Sequence, residues 1–181
     1  MRFRMPASIG DEEIMTMDTE TYFSYNEEET FEIGVDFASR LQAGDIVAFH
    51  GELGAGKTEF IKGICQGMHV EEIVSSPTYT IVNQYAGQDR GRRQVNIYHI
   101  DLYRIEQTGE LIEIGLSELL ADDSSVKLIE WAENAEAILP MERYDISFTS
   151  LDDENSRSIE IVRHDPSTAE RVSGHPAFAT R

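Results

Sequence analysis

Asp45-Ile46-Val47-Ala48-Phe49-His50 leads directly into Gly51-Glu52-Leu53-Gly54-Ala55-Gly56-Lys57-Thr58, and a segment of helical spacing, Lys57 to Met68, follows. The first six residues form a short, β-rich apolar run. Phe60, Ile61, Ile64 and Met68 then fall on one side of a helix. The order is strand, glycine loop, helix, the context that the pattern G-x-x-x-x-G-K-[ST] requires. Gly51, Gly54 and Gly56 let backbone N–H groups curl around phosphate oxygens where side chains would obstruct the approach. The helix beginning at Lys57 points its positive end at the anion. Lys57 is expected to reach the β- and γ-phosphates, and the Thr58 hydroxyl to take one position on a bridging magnesium ion. The Glu59 backbone N–H suits the α-phosphate, and Glu52, Leu53 and Ala55 complete the cradle. The loop itself calls for the phosphates of a nucleotide with Mg2+; ATP as that nucleotide is an expectation that further motifs in the chain add. The rival reading is a glycine turn that binds nothing, and the flanking strand and helix count against it.

A magnesium site of this kind needs a second anchor, an acid at the end of a neighbouring apolar strand. Val126 to Glu130 (VKLIE) reads as a buried strand ending in such an acid, which makes Glu130 the best candidate. Asp101 is its rival, since it ends the strand-like run Gln94 to Ile100 in the same manner. Either could instead be a solvated acid at a strand end.

Elsewhere, Thr21 to Tyr25 reads as a strand. Asn26 and Glu29 have the spacing of a capping box ahead of a helix carrying Phe31, Val35, Ala38 and Leu41 up to Gly44. Tyr79 to Tyr85 and Gln94 to Ile100 form a predicted antiparallel hairpin across the polar segment Ala86 to Arg93. Glu110 to Leu120 has helical spacing interrupted at Gly115, and Asn134 to Leu139 is a weak helix stopped by Pro140. Tyr144 to Thr149 and Ser158 to Val162 alternate around the polar turn Asp152 to Arg157, a second hairpin. These elements predict an α/β fold of three layers, P-loop NTPase-like, with a mixed sheet whose parallel core is extended by antiparallel hairpins. One domain spans residues 21–163. Residues 1–20 are expected to be a poorly ordered extension and residues 164–181 a tail.

At 181 residues with a formal net charge of −19, the chain has room for one core, and its acidity disfavours an autonomous grip on nucleic acid. The acidic surface serves either solubility or a basic protein partner. Apolar runs stop short of the roughly 20 residues a membrane span needs, and the start lacks the pattern of a secretory signal, so a cytoplasmic location is expected. The lone Cys65 sits inside an apolar helix pattern and reads as a buried small hydrophobe.

Gly51 to Thr58 (GELGAGKT), Ser76-Pro77-Thr78-Tyr79-Thr80, His99-Ile100-Asp101-Leu102-Tyr103-Arg104 and Ile129-Glu130-Trp131 occur in this order. With this set of motifs the chain resembles TsaE, the bacterial tRNA threonylcarbamoyladenosine biosynthesis ATPase, over about Asn26 to Val162. The resemblance implies a P-loop ATPase working with TsaB and TsaD, which place a threonylcarbamoyl group on an adenosine beside the anticodon of certain tRNAs. It implies magnesium held at Thr58 and Glu130, and an Asp101 required for activity, orienting the attacking water or a magnesium-bound water. Catalytic roles accordingly fall on Asp101, Lys57 and Glu130. The segment Ser76 to Thr80 would act as a switch-like loop near the γ-phosphate. Glu59 departs from the threonine usual in that family, and Glu52 from the commoner aspartate.

Three further residues carry two readings each. His99 is a catalytic base beside Asp101 or a structural histidine, the latter preferred. Trp131 packs on nucleotide, on a partner or in the core. Arg104 is a charge-stabilising finger or, the preferred reading, a partner for local acids. A P-loop small-molecule kinase and a non-catalytic nucleotide-gated assembly module are the alternatives to an ATPase. The kinase would need a basic lid that the sequence does not display.

Overall fold

The computed structural model describes residues 18–151, 153 and 155–165. Its elements are β1 (Asp18–Ser24), α1 (Glu27–Ala38), β2 (Ile46–His50), α2 (Lys57–Gly67), β3 (Val82–Gln88), β4 (Gln94–Asp101), α3 (Thr108–Glu113), α4 (Leu116–Leu120), β5 (Ser125–Glu130), β6 (Arg143–Ser150) and β7 (Arg157–His164), with a 3-10 helix at Ala132–Ala135. All strands join one seven-stranded sheet in the order β1-β7-β6-β2-β5-β4-β3. β6, β2, β5 and β4 are mutually parallel, and antiparallel strands extend them at both ends. β2, β5 and β4 therefore open toward one carboxyl edge, where ligands of such sheets sit.

α1 and α2 cover one face with a core built on Phe37, Val47, Phe49, Phe60, Ile64, Leu128, Ile146 and Phe148. Fully burying each of these side chains contributes about 1.5–3 kcal/mol. The two helices meet backbone to backbone through glycines. A Cβ on Gly63 would lie 2.1 Å from the Phe31 carbonyl oxygen, and one on Gly34 2.2 Å from that of Phe60. That contact seats α2 against α1 and fixes the exit of the glycine loop. The opposite face carries a second core, in which Ile46, Ala48, Ile100 and Ile129 pack under Leu111, Leu116, Leu120, Ala132 and Leu139. The third layer thus covers β4, β5 and β2, while β6 and β7 turn Arg143, Asp145 and Glu160 to this side.

Asn26 caps α1 as its spacing suggests, accepting from the Glu29 N–H at 2.8 Å, while Glu29 accepts from the Tyr25 N–H at 2.9 Å. The helix ends at Ala38, before Leu41. The break at Gly115 separates α3 from α4, with Gly115 at φ 69° where a side chain would be strained. Three expectations shift. β1 starts at Asp18 and pairs with β7, so the domain takes in residues 18–20 and His164; residues 1–17 and 166–181 lie outside those described. β3 begins at Val82, because Ile81 is left-handed at φ 66°, and it runs through Gly87 to Gln88. Asn134 to Leu139 is no α-helix; a 3-10 turn starts earlier, after Trp131 enters the left-handed region at φ 57°. Among the described residues no helix is long and apolar enough to cross a membrane.

Candidate functional site

Gly51 to Gly56 leave the end of β2 as a loop, and Gly51, Gly54 and Gly56 have φ of 133°, 81° and 105°. Those values favour glycine, and they let successive backbone N–H groups face one concavity. Gly56 forms the N-terminal boundary of α2 with no side-chain cap, so the first N–H groups of the helix are left for an anion. Glu52, Leu53 and Gly54 are exposed at the tip of the loop, while Ala55 is buried.

Lys57 turns back into this loop. Its Nζ donates to the carbonyls of Gly51 at 2.6 Å and Glu52 at 2.9 Å and lies 3.9 Å from the centre of the Trp131 ring. Burial draws the Lys57 ammonium below its ordinary pKa, opposed by the charges of Glu130, Glu133 and Asp101. Trp131 lies 4.9 Å from Tyr103, ring to ring, and so forms one wall beside the ammonium.

Thr58 Oγ1 and Glu130 meet at 2.9 and 3.1 Å, although 72 residues separate them in the chain. Glu130 Oε1 is also 2.8 Å from His99 Nε2. His99 is fully buried, and its Nδ1 has no hydrogen-bond partner among the described residues. An Nε2–H donating to Glu130 leaves Nδ1 as the bare lone pair, the cheaper atom to orphan. His99 is therefore a support for Glu130, a contact its place beside Asp101 does not disclose.

Asp101 is the register partner of Glu130 on the adjacent strand. Its Oδ2 accepts from Ser76 Oγ at 3.0 Å and Thr78 Oγ1 at 2.7 Å, and its Oδ1 from the Tyr103 N–H at 3.0 Å. The Ser76 to Thr80 segment is thereby tied to the strand-end acid. Arg104 lies over the ring of Tyr79, its Cζ 4.5 Å from the ring centre. Glu59 points along α2 to Lys62 Nζ at 2.8 Å, so its carboxylate is engaged away from the loop.

A hydroxyl and one carboxylate are hard oxygen donors, and magnesium commonly takes one or two carboxylates while keeping waters and phosphate oxygens. Among the described residues no cluster of three or more His, Cys, Asp or Glu could cage a metal without such outside ligands. The Thr58 and Glu130 pair fits magnesium delivered with a nucleotide. Cys65 is buried, its thiol pushed up to about 12, and takes no part.

The model of the family described as threonylcarbamoyl adenosine biosynthesis protein TsaE matches residues 24–159. The chain belongs to the TsaE family. It is 40% identical over 121 residues to the tRNA threonylcarbamoyladenosine biosynthesis protein TsaE of Bacillus subtilis (strain 168), covering 67% of this chain and 72% of that one. To the TsaE of Nostoc sp. (strain PCC 7120) it is 34% identical over 152 residues, 82% of this chain and 89% of that one. Among solved structures, Bacillus subtilis YdiB superposes with a TM-score of 0.69 at 30% identity, covering 88% of this chain and 97% of the other. The TsaE match takes in every residue of the site described above, from Gly51 to Trp131. It also reaches Arg157, a buried residue behind the glycine loop that sequence reasoning assigned to a polar turn.

Proposed function

We propose that this TsaE-family chain binds MgATP in the Gly51–Thr58 loop and hydrolyses it as the ATPase component of tRNA threonylcarbamoyladenosine modification, acting in the cytoplasm with TsaB and TsaD. The observation that carries the reading is the meeting of Thr58 and Glu130 at the mouth of a glycine loop, with Asp101 paired beside Glu130. Family membership supports the pathway, since the relatives are threonylcarbamoyladenosine biosynthesis proteins.

Backbone N–H groups of the loop and of the start of α2 bind the phosphates. Lys57 exchanges its carbonyl partners for β- and γ-phosphate oxygens, which relieves its burial as a cation. Thr58 and Glu130 hold the metal, and His99 keeps the Glu130 carboxylate turned toward it. Magnesium held by Thr58 and Glu130 would supply positive charge to offset that developing on the transferring phosphoryl group. Asp101 orients the attacking water. Because Asp101 also accepts from Ser76 and Thr78, displacement of either hydroxyl frees the loop and reports the nucleotide state to a protein partner. With a net charge of −19, the chain contributes little direct hold on tRNA.

The test is phosphate release by the purified chain alone and with TsaB and TsaD. Slow turnover alone and faster turnover in the complex is the expected result, and vigorous stand-alone turnover indifferent to the partners would contradict it.

A further inference from the structure

Arg157 begins β7 and is 7% exposed. Its Nη1 donates to the Ala55 carbonyl at 3.3 Å and its Nη2 to the Asn155 carbonyl at 3.0 Å. Both partners are neutral backbone groups, and among the described residues none supplies it an ion pair. Burying a guanidinium without a counter-charge is costly, and this chain carries an excess of acids. The position of Arg157 therefore calls for a reason beyond packing.

The reason lies in what the guanidinium touches. Ala55 C=O and Gly56 N–H belong to one peptide unit, and in a trans peptide the two point in opposite directions. A donor on the carbonyl side sits behind the glycine loop and leaves the N–H facing the concavity. It also adds positive potential along that peptide dipole. The fit is tight, since a Cβ on Gly56 would lie 2.4 Å from Nη1. The other end of the loop leans on the same hairpin, because a Cβ on Gly51 would lie 2.8 Å from the Phe148 carbonyl oxygen.

We propose that Arg157 is a positioning residue for the phosphate loop: it fixes the Ala55–Gly56 peptide with its N–H toward the bound phosphates, which in turn supply a counter-charge that none of the described residues gives it. This rests on the reading of Gly51–Thr58 as a nucleotide site. It gives the β6–β7 hairpin a part in nucleotide affinity that no motif around the loop announces.

The experiment titrates ADP into the full chain and into the Arg157→Gln and Arg157→Lys variants, and follows the Gly56 amide by NMR. Arg157→Gln is expected to weaken ADP binding about tenfold or more and to shift the Gly56 amide resonance while most other amides hold. Arg157→Lys keeps the charge but loses the fork that joins the Ala55 and Asn155 carbonyls, and is expected to weaken ADP binding by about threefold or more and to shift the Gly56 amide as well. Equal ADP affinity in Arg157→Gln, or an unmoved Gly56 resonance, overturns the proposal. Should Arg157→Gln not fold, Arg157→Lys decides: wild-type ADP affinity with an unmoved Gly56 resonance is the contradicting result. A wild type that binds no ADP would instead sink the nucleotide reading.

Discussion

Asp101 and Glu130 stand side by side as the last register pair of two adjacent parallel strands. They are 4% and 3% exposed, and each has its own donors: Ser76, Thr78 and the Tyr103 N–H for Asp101, Thr58 and His99 for Glu130. Two buried carboxylates so placed raise the local demand for cations, which Lys57 and a metal can meet. The donor sets also divide the work. Glu130 is coupled to Thr58 at the end of the glycine loop, and Asp101 to the Ser76 to Thr80 segment.

Glu130→Gln keeps the size of the side chain and removes its charge. With EDTA present, the variant is expected to bind ATP as well as the wild type. Added magnesium should raise wild-type affinity about tenfold or more and leave the variant nearly unmoved. Calorimetric titration with and without the metal reads this directly.

Asp101→Asn tests the division of labour. Acceptance from the Tyr103 N–H can persist, so nucleotide affinity is expected within about threefold, while hydrolysis in the partner complex falls about 100-fold or more. Single-turnover phosphate release separates the two. A loss confined to affinity would place Asp101 in binding alone.

Much of this arrangement was legible because it is local. The strand, glycine loop and helix follow one another, and acids at the ends of β4 and β5 can be read from apolar runs that stop. The long-range contacts were not legible. The pairing of β1 with β7, the support of Glu130 by His99 and the seat of Arg157 behind Ala55 join residues far apart in the chain, Asp18 with Arg163 in the first case and Ala55 with Arg157 in the last. Nothing in periodicity encodes such contacts. Trp131 is an intermediate case: its left-handed backbone starts a 3-10 turn earlier than the helix the sequence suggests, and its ring lies under Lys57.

The acidity of the solvent supplies a further test. His50, immediately before the loop, has Nε2 3.5 Å from Asp145 Oδ1 and Nδ1 3.4 Å from Glu133 Oε2, and Arg143 and His164 also bind Asp145. The hydrogen bond to Asp145 raises the His50 pKa, aided by the charges of Asp145, Glu133 and Glu136. Burial pushes the Asp145 carboxyl up, but hydrogen bonds from His50 and Arg143 outweigh it and hold it well below the carboxylate range. The raised histidine stabilises fully below its unfolded value, about 6.5, and loses that as pH climbs through the folded value. The depressed aspartate stabilises fully above its unfolded value, about 3.9, and loses that on acidification. The gap in melting temperature between wild type and His50→Gln should be widest between those two values and narrow at alkaline pH. A gap independent of pH would contradict the ion pair.

Gly63→Ala should destabilise the fold by about 1–3 kcal/mol or more, because its methyl group meets the Phe31 carbonyl and must push α1 from α2. Gly109→Ala is the control. With nothing within 4 Å of its Cβ, it should be neutral or stabilising by about 0.4–1 kcal/mol. Urea unfolding of both variants checks the pair.

ATP titration in the presence of magnesium, comparing wild type with Lys57→Ala, tests the central claim most directly. Lys57 is the cation that the loop holds against its own carbonyls, and the proposed function hands it to phosphate. Saturable binding by the wild type and its loss in Lys57→Ala, with the fold intact by circular dichroism, is the predicted result. Equal affinity in the two proteins would show that the nucleotide does not sit in this loop.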